Sequence, residues 1–261
     1  MIQTAGSPVT IVSPDIEATS DWGTRIMFIT TDFTADGTID ACRRIVAAHA
    51  QRHGHTLRLA RGAPVFYDGD PAREVYFIHS GVLRISKLLC DGRRQVLSFA
   101  FPGEIVGLAH DVAHHTDCDA LSDACLGALP THHAAGISHA EPALLNATLR
   151  LAAREMHDMH DHLMLLGQKS AIERLASFLA LLGMRIGVAS GPDVWFDLPM
   201  SRTDIGDFLG ISVETVSRAM TRLRAAGLVQ LPKPDRVCLG DLAALSGFAE
   251  GEDQSPARRA A

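Results

Sequence analysis

The sequence predicts an α+β protein with an N-terminal antiparallel β-roll, a long helix and a C-terminal winged helix-turn-helix. Residues 56–130 contain short apolar stretches separated by turn signals, residues 141–166 carry a helical apolar repeat, and residues 202–221 fit a helix-turn-helix template. We divide the chain into an arm with a short helix (1–55), the roll (56–140), the long helix (141–167) and the last domain (168–261).

Composition places the chain among globular proteins of two domains. It has 261 residues, of which 47% are hydrophobic and 21% charged. The sequence lacks the basic start followed by an apolar run that would predict secretion. It also has no apolar stretch long enough to predict a membrane span. Five scattered cysteines without a C-x-x-C pair favour a reducing compartment. We therefore expect a cytoplasmic protein with no membrane partner.

The N-terminal half combines a loose arm, a short helix and a roll. Residues 1–38 lack periodicity, and residues 39–51 are predicted to form a helix. Strands are predicted at 64–67, 74–79, 82–88 and 95–100, between turn signals such as Asp68-Gly69 and Asp91-Gly92. Closely spaced strands joined by tight turns favour an antiparallel roll.

A heptad-like repeat begins after Glu141. Its apolar residues alternate spacings of four and three, namely Leu145, Leu149, Ala152, Met156, Met159, Leu163 and Leu166. The stripe is narrow and is flanked by charged residues, which favours the seam of a homodimer over a helix packed only on its own roll. Both readings remain open from the sequence.

The repeat ends at Gly167, where a second helix is predicted to begin. Ser170 and Glu173 have the spacing of a capping box, and this helix extends to about residue 185. Residues 188–195, which contain Gly191-Pro192, are interpreted as a linker into the last domain.

The segment 202–221 has the apolar and glycine pattern of two helices joined by a tight turn. Gly206 permits close approach of the helices, and Gly210 supplies the left-handed turn residue. Ser201 and Ser212 are predicted to cap the first and second helices. The apolar positions that pack the helices are Ile205, Leu209, Ile211, Val216 and Ala219.

A two-stranded wing is predicted after Gly227, with strands at 228–231 and 236–239 around a turn at 232–235. Although the whole chain has a net charge of -6, cations outnumber acids by six to four between residues 201 and 240. Local charge decides nucleic-acid binding more than the total does, so this domain is predicted to bind DNA. The candidate DNA-binding residues are Arg202, Ser212, Val213, Glu214, Thr215, Ser217, Arg218 and Lys233.

The second helix of the pair carries groups suited to base edges. Arg218 has the donors for guanine O6 and N7, Glu214 has acceptors for cytosine N4, and Val213 suits a thymine methyl group. Ser217 can donate or accept, and Lys233 in the wing suits a phosphate. Glu214 and Arg218 can also form an i,i+4 surface pair, which is compatible with base reading.

These residues make the chain resemble the CRP/FNR family of transcription regulators from about residue 56 to 245. The run Glu214 to Arg218, E-T-V-S-R, is similar to the recognition helix of the FNR-type branch, and residues 94–107 are similar to the family's effector roll. The resemblance implies a cyclic-nucleotide-binding-like roll and a homodimer on a palindromic TTGAT-like site. It also implies activation of transcription through contact with RNA polymerase.

No cofactor is predicted. FNR-type oxygen sensors hold an iron-sulfur cluster with cysteines of the N-terminal arm, but residues 1–41 contain none, as in FixK-like members of the branch. The cAMP-binding branch has an acid after the position of Gly107 and an arginine nearby, whereas Leu108 stands here and residues 110–121 hold no Lys or Arg.

Two alternatives to an unliganded regulator remain. A haem or metal effector has possible ligands in His110, His114, His115, Cys118, Cys125, His157, His160 and His162. Such a member would have its DNA binding switched by an effector in the roll. A metal-dependent enzyme would need a general base and an open coordination position that no motif supplies, so no catalytic residue is predicted.

Overall fold

The computed structural model describes residues 37–109, 112–130 and 141–251. The helices are α1 (Gly37–His53), α2 (Pro142–Gln168), α3 (Ala171–Ile186), α4 (Arg202–Leu209), α5 (Val213–Ala225) and α6 (Leu242–Ala249). The strands of the first half are β1 (His55–Leu59), β2 (Pro64–Phe66), β3 (Glu74–Ser80), β4 (Leu83–Leu88), β5 (Arg94–Ala100), β6 (Ile105–Val106), β7 (Asp117–Ala120) and β8 (Ala124–Pro130). Those of the second half are β9 (Val188–Ser190), β10 (Asp193–Asp197), β11 (Gln230–Lys233) and β12 (Arg236–Leu239).

The first eight strands form the predicted antiparallel roll. One sheet has the order β1-β8-β3-β6 and the other β2-β7-β4-β5. Ile78, Leu83 and Leu126 have no exposed surface and fill the space between the sheets. The four strands expected at 64–67, 74–79, 82–88 and 95–100 are confirmed as β2 to β5 within a residue or two at their ends.

Helix α1 packs between the roll and the start of α2. It begins at Gly37 and ends at His53, so it is two residues longer at each end than the pattern predicts, and Gly37 and Thr38 are helical instead of belonging to the arm. Val46 and Ala50 contact the same apolar cluster as Leu144 and Ala147. The remainder of the expected arm, residues 1–36, lies outside the described residues.

The long helix α2 has 27 residues, which corresponds to about 40 Å. One face buries Leu144, Ala147 and Leu165 against the rest of the chain. The residues of the predicted seam lie elsewhere: Leu145, Ala152 and Leu166 are half-buried, while Leu149, Met156, Met159 and Leu163 are between 57% and 64% exposed. The helix therefore carries an apolar stripe that its own chain leaves open to solvent.

The prediction of a linker at 188–195 is wrong. Residues Val188–Ser190 and Asp193–Asp197 form a hairpin, with Gly191 at a φ of 64° in its turn. Phe196 is buried in the core of the last domain, and β10 pairs with β12 to give a sheet of order β11-β12-β10-β9. The Gly-Pro pair thus marks a hairpin turn, and the alternating apolar residues beside it belong to a strand.

Helix α3 begins as predicted, since the backbone N–H of Ser170 donates to Oε2 of Glu173 (2.8 Å). The wing is also present, but its first strand is Gln230–Lys233, so the turn is shorter than the expected 232–235. Among the helices that the structure describes, none is both long and apolar enough to cross a membrane.

Candidate nucleic-acid interface

The first helix of the helix-turn-helix, α4, is fixed at its start by reciprocal capping. The backbone N–H of Asp204 donates to Oγ of Ser201 (3.1 Å), and the backbone N–H of Ser201 donates to Oδ2 of Asp204 (2.9 Å). At the other end, Gly210 has a φ of 64° and ends the helix in the left-handed region, as its position in the sequence predicts. The turn between the helices is therefore set by local residues.

Gly206 allows the two helices to cross closely. A Cβ built at this position would lie 2.7 Å from the carbonyl oxygen of Ile211, which is backbone and cannot rotate away. Behind this contact the two helices share a buried core of Ile205, Leu209, Val216, Ala219 and Leu223. This core holds α5 in one orientation, with one face buried and the other presented to solvent.

The exposed face of α5 carries the predicted base-reading residues. Val213, Glu214, Ser217 and Arg218 are all exposed in the first half of the helix. Ser212 caps it, since Oγ of Ser212 accepts from the backbone N–H of Thr215 (3.2 Å). Hydrogen bonding with Ser212 lowers the pKa of Glu214, so this carboxylate is ionised and acts only as an acceptor at neutral pH.

Ser217 is partly engaged within the helix. Its hydroxyl donates to the carbonyl oxygen of Val213 (3.0 Å), as Thr221 does to Ser217. A hydroxyl that donates in this way still has free lone pairs. In this rotamer Ser217 is suited to accept from a base amino group.

The wing follows α5 in the chain. Lys233 is exposed at the end of β11, opposite Arg236, whose guanidinium lies 5.7 Å from the centroid of the Trp195 ring. Arg202 is only half-exposed, and its Nη2 donates to the carbonyl oxygen of Pro234 (3.4 Å) in the wing turn. Burial lowers the pKa of Arg202. Arg202 thus connects α4 to the wing, while Lys233 points to solvent.

The roll contacts α4 through ion pairs that the sequence did not predict. Arg84 on β4 binds Oδ1 of Asp204 and also donates to both carboxylate oxygens of Asp119 (3.0 and 2.9 Å). Arg94 on β5 donates to Asp204 (2.6 Å) and to Asp207. The same Asp204 that caps α4 with one oxygen therefore receives both roll arginines on the other.

Aromatic contacts also connect α4 with the roll and with α2. The ring of Phe208 on α4 lies 5.1 Å from that of Phe99 on β5 and 4.0 Å from that of His162 on α2. Burial lowers the pKa of His162 to about 4, so it is neutral at physiological pH. The long helix, the roll and the first helix of the helix-turn-helix meet at this point.

Among the described residues, the histidines and cysteines named as possible effector ligands form no group of three that could share a metal ion. His114 stacks on Phe66, with ring centroids 3.8 Å apart, and burial lowers its pKa. Cys118 is buried, which raises its pKa. Within the part of the chain that the structure describes, the one group of three ligating side chains is His49, His53 and Glu141. His110 lies outside the described residues.

A roll joined by a long helix to a winged helix-turn-helix, with an exposed polar face on the second helix of the pair, defines a class of DNA-binding regulators. Family comparison agrees, because residues 56–138 match the cyclic nucleotide-binding domain and residues 173–248 match the Crp-like helix-turn-helix domain. The chain belongs to the CRP/FNR family of transcription regulators.

Its relatives include regulators of nitrogen fixation. The nitrogen fixation regulation protein FixK of Azorhizobium caulinodans is 39% identical over 187 residues, which are 71% of this chain and 75% of the relative. The transcriptional activator protein anr of Pseudomonas aeruginosa is 34% identical over 173 residues, covering 66% of this chain and 71% of the relative. The first relative is thus named a regulation protein and the second a transcriptional activator.

Among solved structures, the chain is similar to FixK2 from Bradyrhizobium japonicum. The two superpose with a TM-score of 0.68 at 31% identity, and the match covers 74% of this chain and 95% of FixK2. The similarity therefore includes both the roll and the winged helix-turn-helix.

Proposed function

We propose that this regulator acts as a homodimer that places two α5 helices in successive major grooves of a palindromic, TTGAT-like site. The observation that carries the proposal is the face of α5 itself, where Glu214, Ser217 and Arg218 are exposed together while Val216 and Ala219 are buried behind them. A recognition helix contacts bases through its N-terminal part, and these residues lie in that part.

Each exposed group has a chemical counterpart on a base edge. Arg218 donates two parallel hydrogen bonds to guanine, ionised Glu214 accepts from the amino group of cytosine, and Val213 contacts a thymine methyl group. Lys233 contacts a phosphate from the wing, which fixes the register of the domain without reading sequence. Arg202 acts indirectly, by holding the wing turn through Pro234.

The homodimer is supported by the exposed stripe of α2. Leu149, Met156, Met159 and Leu163 repeat at heptad spacing and are uncovered in the single chain. A row of large apolar side chains at this spacing is the seam that a parallel second helix covers by knobs-into-holes packing. Two-fold symmetry in the protein then matches a two-fold symmetric DNA site.

Activation of transcription from such a site is the expected output. The relative from Pseudomonas aeruginosa is named a transcriptional activator protein. We propose that this chain also activates, through contact with RNA polymerase, and that it works in the cytoplasm.

DNA binding is proposed to need no iron-sulfur cluster. Of the five cysteines, Cys42, Cys118 and Cys238 are buried, and Cys90 is exposed on the β4–β5 turn. Protein purified in air should bind DNA as well as protein kept under nitrogen. Acid-labile sulfide in the purified protein, or DNA binding that is lost in air, would contradict this part of the proposal.

Half-site spacing tests the proposal as a whole. Half-sites centred about one helical turn, roughly 34 Å, apart are expected to bind the dimer tightly. Insertion of half a turn, about 5 base pairs, rotates one half-site to the opposite side of the DNA and should abolish cooperative binding, whereas insertion of a whole turn places both half-sites on one side again. Equal affinity for all three spacings, measured by fluorescence anisotropy, would show that the protein does not bind as a symmetric dimer.

A further inference from the structure

A second possible site lies away from the DNA-binding face, where the end of α1 meets the start of α2. His49 and His53 are one helical turn apart on α1, and Glu141 is the residue immediately before α2. One ligand atom from each of the three lies within 4.8 Å of the other two. We propose that these three side chains bind a first-row divalent cation of the Zn²⁺ type.

His49 provides an observation that points to a ligand. Its side chain is buried, with 5% of the residue exposed, and neither ring nitrogen makes a hydrogen bond. Its Nδ1 lies 3.3 Å from Oε2 of Glu141, without a hydrogen bond between the two atoms. Buried polar atoms are nearly always paired, so a buried imidazole with two unbonded nitrogens needs an explanation. A metal bond to one nitrogen supplies the missing partner.

The chemistry of the three groups suits such a cation. Two histidines at i and i+4 present their rings on the same side of a helix, and the rings of His49 and His53 are 4.5 Å apart. Two histidines and one carboxylate, with water in the fourth position, form a common tetrahedral zinc arrangement.

Zinc bonds of roughly 2.0–2.2 Å would require the three ligand atoms, which lie within 4.8 Å of one another, to move closer together. His53 is exposed and Glu141 is half-exposed, so both can adjust and a cation can enter from solvent. Bound metal would join the last turn of α1 to the first residue of α2. It would therefore reinforce the packing of Val46 and Ala50 on the helix that carries the exposed stripe.

The test uses the full-length, tag-free protein after treatment with a chelator. Zn²⁺ is titrated against a chromophoric competitor, and Co²⁺ binding is followed by its visible spectrum. One equivalent of metal per chain is expected, together with a higher melting temperature. His53→Gln and Glu141→Gln should each weaken binding by more than about tenfold, since even loss of an indirect partner of a metal ligand costs that much.

His55→Gln is the matched control. His55 is two residues beyond His53, is exposed, and contacts Glu74 at 3.6 Å instead of the proposed ligands. This variant should bind Zn²⁺ as the unmodified chain does. His53 and Glu141 are at the surface, so their variants should fold. They therefore test the proposal even if His49→Gln fails to fold. Absence of stoichiometric Zn²⁺ binding, or equal affinity in His53→Gln and His55→Gln, would overturn the proposal.

Discussion

Arg94 and Asp207 are 113 residues apart in the sequence and are joined by two hydrogen bonds. Nε and Nη2 of Arg94 both donate to Oδ2 of Asp207, at 3.0 and 2.8 Å. Gln95, the next residue, donates from Nε2 to the backbone carbonyl of Asp207 (2.5 Å). Because Asp207 lies on α4, the strand β5 of the roll holds the helix against which the recognition helix packs. The orientation of the DNA-reading face is thus linked to the roll.

A double-mutant cycle measures this link. Arg94→Gln and Asp207→Asn are each expected to destabilise the chain by about 1–3 kcal/mol, the usual value for a hydrogen bond to a charged group that is partly buried. The double variant should be less destabilised than the sum, with a coupling of about 0.5–3 kcal/mol from urea denaturation. Arg93→Gln is the control, because Arg93 pairs with Asp91 on an exposed turn. A coupling of zero would mean that the contact contributes nothing in solution.

Stability in acid should depend on Asp204. Burial by itself would raise the pKa of this carboxyl, but hydrogen bonds from Ser201 and the charge of Arg84 outweigh it and lower the pKa below its ordinary value of 3.8. A carboxyl with a lowered pKa in the folded chain stabilises it above the unfolded value, and this stability is lost as the pH falls through the folded value. Wild type should therefore be more stable than Asp204→Asn at pH 7.

The difference between wild type and Asp204→Asn should shrink as the pH falls below about 4, where the carboxyl of the unfolded chain gains a proton, whereas that of the folded chain, with its lowered pKa, gains one only at lower pH. Urea denaturation at a series of pH values measures it. Asp197→Asn serves as the control, since Asp197 is exposed and lies 3.9 Å from Arg236. A difference for Asp204→Asn that stays constant from pH 7 to pH 3 would show that its charge is not stabilising.

The seam of α2 gives a sharp test of assembly. Met159→Asp should place a carboxylate against its symmetry mate in the proposed dimer, at a cost of several kcal/mol for burying unpaired charge. Light scattering during size exclusion is expected to show a monomer. Met164 is exposed to a similar extent, 54% against 57%, but is not part of the heptad repeat, so Met164→Asp should remain a dimer. Loss of the dimer in both variants, or in neither, would contradict the assignment of the seam.

The local signals in the sequence predicted local structure well. Ser201, Gly206 and Gly210 act within one or two turns of helix, and together with the apolar positions they predict the helix-turn-helix that the structure shows. The hairpin at Val188–Ser190 was missed, because Gly-Pro marks a turn without saying whether strands flank it.

Long-range contacts left no signal in a single sequence. Arg84 and Arg94 reach Asp204 across 120 and 110 residues, and only the folded chain brings them together. His49 and His53 have the i, i+4 spacing that places two side chains on the same side of a helix. Their third member, Glu141, is distant in sequence, and its proximity depends on how α1 packs against α2.

Arg218 and Lys233 should behave differently in binding assays. Arg218→Ala is expected to cost about 1–3 kcal/mol at the half-site guanine and little at sites where that base is changed, because a bidentate contact reads base identity. Lys233→Ala should weaken all sites alike and reduce the salt dependence of binding by about one unit, since a phosphate contact releases a counterion without reading sequence. A panel of single-base variants measured at several salt concentrations separates the two effects. Arg224, exposed in the last turn of α5, is the matched control and should leave base preference unchanged when replaced by alanine. Uniform weakening of every site by Arg218→Ala would make Arg218 a backbone contact and would remove direct guanine reading from this helix.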